Sequence, residues 1–452
     1  RLYYIPLVIL FASIILHLPL LVVIGLLVLV ILGTTDTWAT YCLRHLRYQR
    51  QFSEQRVLFG EQVTLSLSVE NAKLLPLPWL EIEDTVPRAL AMTGQKVRVS
   101  IVGDTTVLEN LFSARWYERV TRRYTFNCNA RGVHKFGPTV VRSGDVFGFI
   151  SNEENLANWQ YLLVYPLVVP LTSFSLPAHH PFGDRRAPRR LLEDPSRVIG
   201  IRDYVYGDSL RRVHWKATAR TMQLQSKIYE ATTTYTMVIF LNISTQFDTI
   251  HGLQPELQEL AICAAASVSD WAINEGYAVG LYANTLMFMP EEQVHSASTS
   301  EGEEEQGIDA TVAAQLKRRR IHLPAATSEE QRRRIMDVLA RIQPYFGSTL
   351  EDVIQAERSH LPAGATIVVI TSSVNDHLLD TLGRLKQSGH AVSILFVGDN
   401  PSPARLAGLS IYSLGGKEAW RKLEAAYSRT GDTSAQPGSD SLYRVPGLGL
   451  RL

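Results

Sequence analysis

The densest group of residues that could perform chemistry lies within residues 202–220. Its charged, aromatic and turn-forming members are Arg202, Tyr204, Gly207, Asp208, Arg211, Arg212, His214, Trp215, Lys216 and Arg220. In a hydrolase or transferase, His214 would be the general base, and Asp203 or Asp208 would be the carboxylate that orients it. Lys216 would complete such a site. No serine or cysteine in a nucleophile-elbow context accompanies the group, so we favour a structural clamp that joins this segment to the domain after it.

The same segment predicts a short helix. Gly207-Asp208 is a turn signal, and aspartate is a residue type that caps helices, so we expect a helix that begins at Ser209. One face of that helix would carry Asp208, Arg212, Trp215 and Ala219. Such a face predicts a seam of ion pairs and cation–π contacts.

This block resembles the signature of a bacterial membrane-protein family called domain of unknown function 58. The matching positions are Arg202, Tyr204, Gly207, Asp208, Arg211, Val213, His214, Trp215, Lys216, Thr218, Ala219 and Arg220, with the small-residue triplet displaced by one position. Residues 143–149 resemble the family's D-P-F-G-L turn, although Val146 stands where the family has proline. Arg131-Gly132 and Val164-Tyr165-Pro166 resemble two further family segments.

The resemblance implies a membrane hairpin at the N-terminus, a cytoplasmic β-sandwich and a C-terminal domain similar to von Willebrand factor type A. Members of the family are commonly encoded beside a MoxR-type AAA+ ATPase and are thought to act with it in assembling other proteins. Their biochemical activity is not established. The resemblance therefore implies a role and a partner class rather than a reaction.

Type A domains often bind Mg²⁺ through an Asp-x-Ser-x-Ser sequence after the first strand and a later aspartate. At the corresponding positions this chain has Asn242, Ser244 and Gln246, and Ser372 follows the later strand. Neutral oxygens compete poorly with water for a hard cation. We therefore expect a degenerate site with no metal, and no other cofactor.

Composition bounds the remaining possibilities. The 452 residues correspond to about three folding units, and 45 Lys plus Arg against 44 Asp plus Glu leave a net charge of +1. This balance gives no global reason to expect a nucleic-acid partner. Three scattered cysteines exclude a disulfide framework. No phosphate-binding glycine loop is present, so we do not expect the chain to hydrolyse ATP.

Residues 2–32 contain no Asp, Glu, Lys or Arg, which predicts insertion in a lipid bilayer. One straight helix of that length would span roughly 45 Å, against a hydrocarbon core of roughly 30 Å. The run therefore predicts either a hairpin that turns at His17-Leu18-Pro19 or a single tilted span, and we favour the hairpin. Basic residues that follow the run predict that the rest of the chain lies in the cytoplasm. The family resemblance implies that the membrane is the bacterial inner membrane.

Periodicity divides the chain into five parts. Residues 1–41 are the membrane segment, and residues 52–171 form an all-β sandwich with strands near 63–69, 79–82, 97–102, 122–127, 139–142 and 161–169. Residues 172–230 are a basic connector that contains the block. Residues 231–428 form an α/β domain with strands near 236–243, 277–282, 366–371, 392–397 and 409–414 and an acidic insertion at 289–310. Residues 429–452 are a tail.

These patterns together predict a membrane-anchored, multidomain protein that is not an enzyme. We expect an interaction scaffold or assembly factor that acts with a MoxR-type AAA+ ATPase or a membrane complex, and that binds no nucleic acid. A permanent structural subunit of a membrane assembly is the alternative, and a hydrolase that uses His214 and Asp208 is less favoured.

The run Arg332-Arg333-Arg334 opens a predicted helix, and we expect the basic face of that helix to lie in solvent.

Overall fold

The computed structural model describes most of the chain in separate stretches. These are residues 19–90, 97–99, 104–145, 150–174, 192–206, 208–232, 235–244, 254–288, 320–343, 349–399 and 409–428, with the single residues 8, 11, 15, 176 and 182. The chain divides into two compact units: the first comprises residues 1–165 and 426–436, and the second comprises residues 166–425 and 437–452. The acidic insertion, the tail and the predicted turn at His17 lie outside the described residues.

The first helix, α1 (Pro19–Cys42), is the one helix of the described residues that is long and apolar enough to cross a membrane. Its last turns contain threonines whose hydroxyls donate to carbonyls three or four residues earlier. These threonines are Thr34, Thr35, Thr37 and Thr40. Such bonds satisfy the polar groups locally, so the helix continues through a segment that is less apolar than its start.

The β unit consists of the strands that follow α1. They are β1 (Leu46–Phe52), β2 (Arg56–Val57), β3 (Gln62–Asn71), β4 (Leu77–Pro87), β5 (Val97–Val99), β6 (Thr105–Ala114), β7 (Arg119–Asn127), β8 (Gly132–Phe136), β9 (Thr139–Gly144), β10 (Ser151–Leu156) and β11 (Gln160–Val164). The sheets have the orders β1-β3-β7, β10-β9-β4-β6-β5 and β2-β11-β8. Their buried side chains form one apolar cluster.

The alternation of apolar and polar residues explains which face of β3 is buried. Val63, Leu65, Leu67 and Val69 are fully buried, and the residues between them are partly exposed. One face of the strand therefore faces the core, as the sequence predicts. The structure adds β1, which begins at Leu46 and pairs along its whole length with β3. The predicted start of the sheet region at residue 52 is therefore too late. The strand is hard to recognise in the sequence because one of its two buried residues is the charged Arg50.

A buried ion pair joins two of these sheets. Arg50 on β1 donates from Nε to Asp84 Oδ2 on β4 at 2.9 Å, and a second bond joins Nη2 to Oδ1. Tyr48 donates to the same carboxylate at 2.9 Å, and Thr139 on β9 donates to it at 3.0 Å. Burial, and next the Asp84 carboxylate, raise the pKa of Tyr48. The phenol therefore stays protonated and serves as a donor.

The second unit contains a hairpin and an open α/β sheet. Its strands are β12 (Leu192–Asp203), β13 (Gln225–Thr232), β14 (Thr236–Leu241), β15 (Ala278–Met287), β16 (Arg320–Ala326), β17 (Ile342–Gln343), β18 (Thr366–Thr371), β19 (Ala391–Phe396) and β20 (Ser410–Ser413). Its α-helices are α2 (Trp215–Thr221), α3 (Pro255–Asn274), α4 (Glu329–Ala340), α5 (Leu350–Glu357), α6 (Asp376–Gln387) and α7 (Lys417–Ser428).

The sheet order is β16-β15-β14-β18-β19-β20. Numbered along the chain, the long strands lie in the doubly wound order 3-2-1-4-5-6. Strands β15, β14, β18, β19 and β20 are parallel, whereas β16 and β17 pair antiparallel with β15. The predicted parallel α/β sheet is present, and its antiparallel edge is an addition that the sequence patterns did not reveal.

Two expectations for the second unit need correction. The segment at 172–230 is not only a basic connector, because β12 and β13 form an antiparallel hairpin. Register shifts at residues 194–200 interrupt the alternation that would have revealed it.

Of the three arginines expected in solvent on α4, Arg333 and Arg334 are exposed but Arg332 is buried. Its side chain is 5% exposed and lies 2.9 Å from the Asp270 carboxylate on α3. Burial raises the pKa of Asp270 although Arg332 opposes the shift.

Because the Arg50–Asp84 pair is buried, we expect removal of its carboxylate to destabilise the protein much more than removal of an exposed charge does. Replacing Asp84 with Ala leaves the Arg50 guanidinium buried without its carboxylate, which we expect to lower the free energy of unfolding by about 3–5 kcal/mol. The control is Arg119→Ala, which removes an ion pair with Glu70 whose arginine is exposed. That change should cost less than about 1 kcal/mol. Chemical unfolding of the two variants measures the difference, and equal losses would contradict the role given to the buried pair.

Candidate functional site

The residues of the block lie at the closed end of the β12–β13 hairpin. The backbone N–H of Tyr204 donates to the Leu224 carbonyl at 2.9 Å, and that of His214 donates to the Gln225 carbonyl at 2.8 Å. Val213 is buried and forms a bridge with Ser226. The chain between the two strands is therefore fixed against the start of β13 rather than forming an open loop.

Asp208 organises the first half of the block. Its carboxylate accepts from the Arg202 guanidinium at 2.8 Å and from the Val205 backbone N–H at 3.3 Å, and Tyr204 donates to its carbonyl at 2.9 Å. Burial alone would raise the pKa of Asp208, but the Val205 and Arg202 hydrogen bonds hold the pKa below its ordinary value. Asp208 is therefore a charged acceptor that closes the turn. Gly207 lies outside the described residues.

His214 begins the helix of the block. Its Nδ1 accepts from the Ala217 backbone N–H at 3.0 Å, and α2 follows directly. The helix ends at Met222, whose φ of +57° is left-handed. At the same end, Thr218 Oγ1 accepts from the Gln225 backbone N–H at 3.1 Å. The side chain of His214 is thus the helix cap.

The predicted helix from Ser209 is wrong. A single 3₁₀ turn spans Leu210–Arg212, and Val213 then has an extended backbone with ψ of 128°. In this extended conformation Val213 forms a bridge with Ser226 and is 3% exposed, and burial of its apolar side chain favours the interruption. Asp208, Arg212, Trp215 and Ala219 therefore do not share a helix face, and the ion-pair partner of Asp208 is Arg202.

The hydrogen bonds of the block do not form the predicted catalytic arrangement. Among the described contacts, neither Asp203 nor Asp208 bonds to His214. Asp203 instead accepts from the Gln225 amide at 2.6 Å. The ring nitrogen of His214 that faces the helix already accepts a backbone N–H. The described hydrogen bonds of Asp203 and His214 are thus made to Gln225 and to the backbone of α2.

The exposed side chains of the block combine large apolar groups with basic ones. Tyr206 is fully exposed, Met222 is 87% exposed and Trp215 is 67% exposed. Met222 directly follows the helix of the block. Val205, Leu210, Arg211, Lys216 and Arg220 are also exposed, as are Arg202, Asp203, Ser209 and Ala219. We call Tyr206, Trp215, Met222, Val205, Leu210, Arg211, Lys216 and Arg220 the block surface. Contiguous exposed apolar patches mark interaction sites.

The predicted metal positions lie where β14 and β18 end, which is the switch point of the sheet. Asn242 donates from Nδ2 to Thr371 Oγ1 at 3.0 Å, and its Oδ1 accepts from the Ser244 backbone N–H at 3.0 Å. Asn284 donates to the same oxygen at 2.8 Å. Ser372 donates to the Ser244 carbonyl at 3.0 Å. Gln246 lies outside the described residues.

This network does not fit a tightly bound Mg²⁺ ion. Asn242, Asn284 and Ser372 are buried; the two amides bond to each other, and the Ser372 hydroxyl bonds to the Ser244 carbonyl. No carboxylate takes part in these bonds, and within the described stretches no three His, Cys, Asp or Glu side chains cluster as a metal site. Asn284 was missed by the sequence analysis. Its signal was a lone amide inside the apolar run of β15.

Residues 200–301 match the family model described as protein of unknown function DUF58. The match begins at the block and continues into the α/β region. The uncharacterized protein YeaD of Bacillus subtilis strain 168 is 26% identical over 193 residues, which cover 42% of this chain and 46% of YeaD. The chain thus spans less than half of this curated relative. Both matches support the DUF58 resemblance.

Similarities to solved structures are faint. A CARDB domain from Pyrococcus furiosus gives a TM-score of 0.19 at 11% identity, with 26% of this chain and 91% of that chain covered. A cohesin module from a Clostridium perfringens glycoside hydrolase gives 0.19 at 11% identity, with 26% and 95% covered. Similarity at this level carries no information about function.

The capping hydrogen bond of His214 predicts that substitutions at this position change the stability of α2. His214→Ala removes the acceptor for the Ala217 N–H and should destabilise α2 by about 0.5–2 kcal/mol. His214→Asn supplies another capping side chain and should recover most of the loss. Amide hydrogen exchange at residues 215–221 measures both variants. Unchanged exchange in the alanine variant would contradict the capping role of His214.

Proposed function

We propose that the chain is a membrane-anchored, non-enzymatic interaction scaffold or assembly factor whose docking site is the block surface. The observation that carries this proposal is the exposure of Tyr206, Trp215 and Met222 on a backbone that is fixed by internal hydrogen bonds. A fixed surface loses little conformational entropy when a partner binds. Tryptophan, tyrosine and arginine are also the side chains that dominate binding energies at protein interfaces.

The charge of the block surface indicates the chemistry of its partner. Arg211, Lys216 and Arg220 are exposed around the apolar side chains. An acidic protein surface with an apolar depression for Trp215 would match both features. Among the partners that the family resemblance implies, a MoxR-type AAA+ ATPase is our first candidate. A membrane complex under assembly is the second.

The α/β sheet supports the same proposal. Its doubly wound strand order is consistent with a von Willebrand A-like domain, and such domains bind partners at the ends of their parallel strands. The amide network at Asn242 and Asn284 would make that binding independent of metal. We therefore propose a second contact at the loops that follow β14 and β18.

Anchorage in the bacterial inner membrane completes the proposal. The apolar run at residues 2–32 and the length of α1 support insertion in the bilayer. The basic residues Arg44 and Arg47 directly follow α1 and support a cytoplasmic position for both units. A protein partner would then be recruited from the cytoplasm to the membrane surface.

Co-purification from membranes solubilised in mild detergent tests the docking surface. We expect the full chain to retain an acidic protein partner, and Trp215→Ala to reduce its yield about tenfold or more, since hot-spot residues contribute about 2 kcal/mol or more. The control is Leu111→Ala, which removes another exposed apolar side chain, on β6. Equal retention by both variants would exclude the block surface, and retention at fixed stoichiometry under every condition would favour the permanent subunit.

Thermal unfolding tests the expected lack of a metal. The melting temperature of the chain in about 5 mM Mg²⁺ should equal that in a chelator at matched ionic strength, because only a ligand that binds the folded state raises stability. Asn242 is neutral and already hydrogen-bonded. A rise that saturates with Mg²⁺ concentration would contradict this expectation and restore a metal-dependent mode of binding.

A further inference from the structure

One end of the β unit exposes three large apolar side chains. It is formed by residues 72–76, between β3 and β4, and residues 115–118, between β6 and β7, and we call it the proximal end. Leu74 is 73% exposed, Trp116 is 62% exposed and Tyr117 is 65% exposed. The block surface, by contrast, belongs to the second unit. The two surfaces therefore need separate explanations.

The proximal end is held in place by hydrogen bonds. The Tyr117 backbone N–H donates to the Lys73 carbonyl at 3.2 Å, and the Asn71 N–H donates to the Glu118 carbonyl at 2.9 Å. The side chain of Asn71 joins both segments, since it donates to Leu75 and Arg115 carbonyls. The apolar side chains are therefore presented by a fixed backbone.

The proximal end is bonded to the point where α1 ends. The Lys73 ammonium donates to the Cys42 carbonyl, and to the Arg44 carbonyl at 2.7 Å. A cation at this position also interacts favourably with the carboxyl end of the helix dipole. Asn152 on β10 donates to the Ala39 carbonyl at 2.7 Å. The position of α1 therefore fixes the position of these loops.

The burial of side chains along α1 shows where the β unit packs against the helix. Gly25 is buried within the apolar run, and the next buried residues are Thr35, Ala39 and Cys42. The uncharged apolar run ends at Leu32, and Thr35, three residues later, is only 3% exposed. Three residues of helix rise about 4.5 Å. The headgroup layer of one leaflet is about 5–7 Å thick. If α1 spans a bilayer, the protein around Thr35 lies within that layer.

The chemistry of the proximal end suits the same depth. Tryptophan and tyrosine concentrate at the membrane–water interface, because each combines an apolar ring with a polar group. Exposed arginines flank the rings at Arg115 and Arg44. The Arg44 guanidinium lies 4.8 Å from the centre of the Tyr41 ring. Basic groups at this level attract anionic lipid headgroups.

A cavity beside α1 adds an independent observation. It has a volume of about 470 Å³ and is lined by Trp38, Ser113 and Arg115, among others. Pro76, Leu77 and Pro78 supply an apolar wall, and Arg115 and Glu118 are its charged residues. The cavity thus combines apolar and polar groups beside α1, and Arg115 is the group there that would attract a lipid phosphate.

We propose that the proximal end lies in the headgroup layer of an anionic bilayer, with Leu74, Trp116 and Tyr117 inserted beside α1. This inference rests on the membrane anchorage proposed above and adds a second, peripheral contact with the lipid. Three inserted side chains and the α1 junction would fix the orientation of the β unit on the membrane. A single flexible anchor would leave that orientation free.

Depth-dependent quenching in vesicles of phosphatidylcholine and phosphatidylglycerol tests the proposal on the full chain. Cys42, Cys128 and Cys263 are buried, so a fluorescent thiol label will react selectively with a cysteine introduced at an exposed position. The four single variants are Leu74→Cys and Trp116→Cys at the proximal end, Val23→Cys within α1, and Glu54→Cys beyond the other end of β1. Glu54 lies roughly 20 Å along the strands from the proximal end.

We expect nitroxide on the lipid headgroup to quench most of the fluorescence at positions 74 and 116 and to leave position 54 unquenched. Nitroxide deep in the acyl chains should quench position 23. If position 23 is quenched but 74 and 116 behave like 54, the proximal contact is wrong and the anchorage stands. If position 23 is also unquenched, the anchorage itself fails. If positions 74 and 116 are shielded from both aqueous and lipid quenchers, another protein surface buries them. That result would also overturn the proposal.

Discussion

The guanidinium of Arg50 binds the carboxylate of Asp84 inside the β unit, where neither side chain reaches solvent. Removing two charges from water is unfavourable unless every remaining donor and acceptor is satisfied. Tyr48 and Thr139 supply those further bonds, from β1 and β9. The pair therefore specifies how β1 packs against the sheet that contains β4. Any other register of β1 would bury a charge without its partner.

This constraint extends to the membrane helix because β1 follows α1 closely. The position of β1 fixes the chain at Leu46, and Lys73 and Asn152 then bind the last carbonyls of α1. The helix is thus joined to the β unit by one side chain from the β3–β4 connection and one from β10, in addition to the backbone. The end of α1 is therefore bonded directly to the proximal end.

The sequence predicts elements whose pattern is local and misses those that depend on distant partners. Strand β18 occupies residues 366–371 as predicted, because a short apolar run between turns identifies a buried strand. The start of α2 was misplaced, since burial of Val213 against Ser226 is a tertiary effect. Arg332 was expected in solvent because nothing near it in the sequence indicates that Asp270 faces it. The same limit hid Asn284, whose partner Asn242 lies on another strand.

The two candidate sites of the second unit differ in what they leave available to a ligand. At the switch point, Asn242 bonds to Thr371 and Asn284, and Ser372 bonds to the Ser244 carbonyl, so an incoming ion would have to replace satisfied hydrogen bonds. At the block surface, the hydrogen bonds hold the backbone while Trp215 and Tyr206 remain in water. Burying those two side chains would release free energy. This difference is why our proposal makes the block surface the main docking site and the contact at the switch point a secondary one that needs no metal.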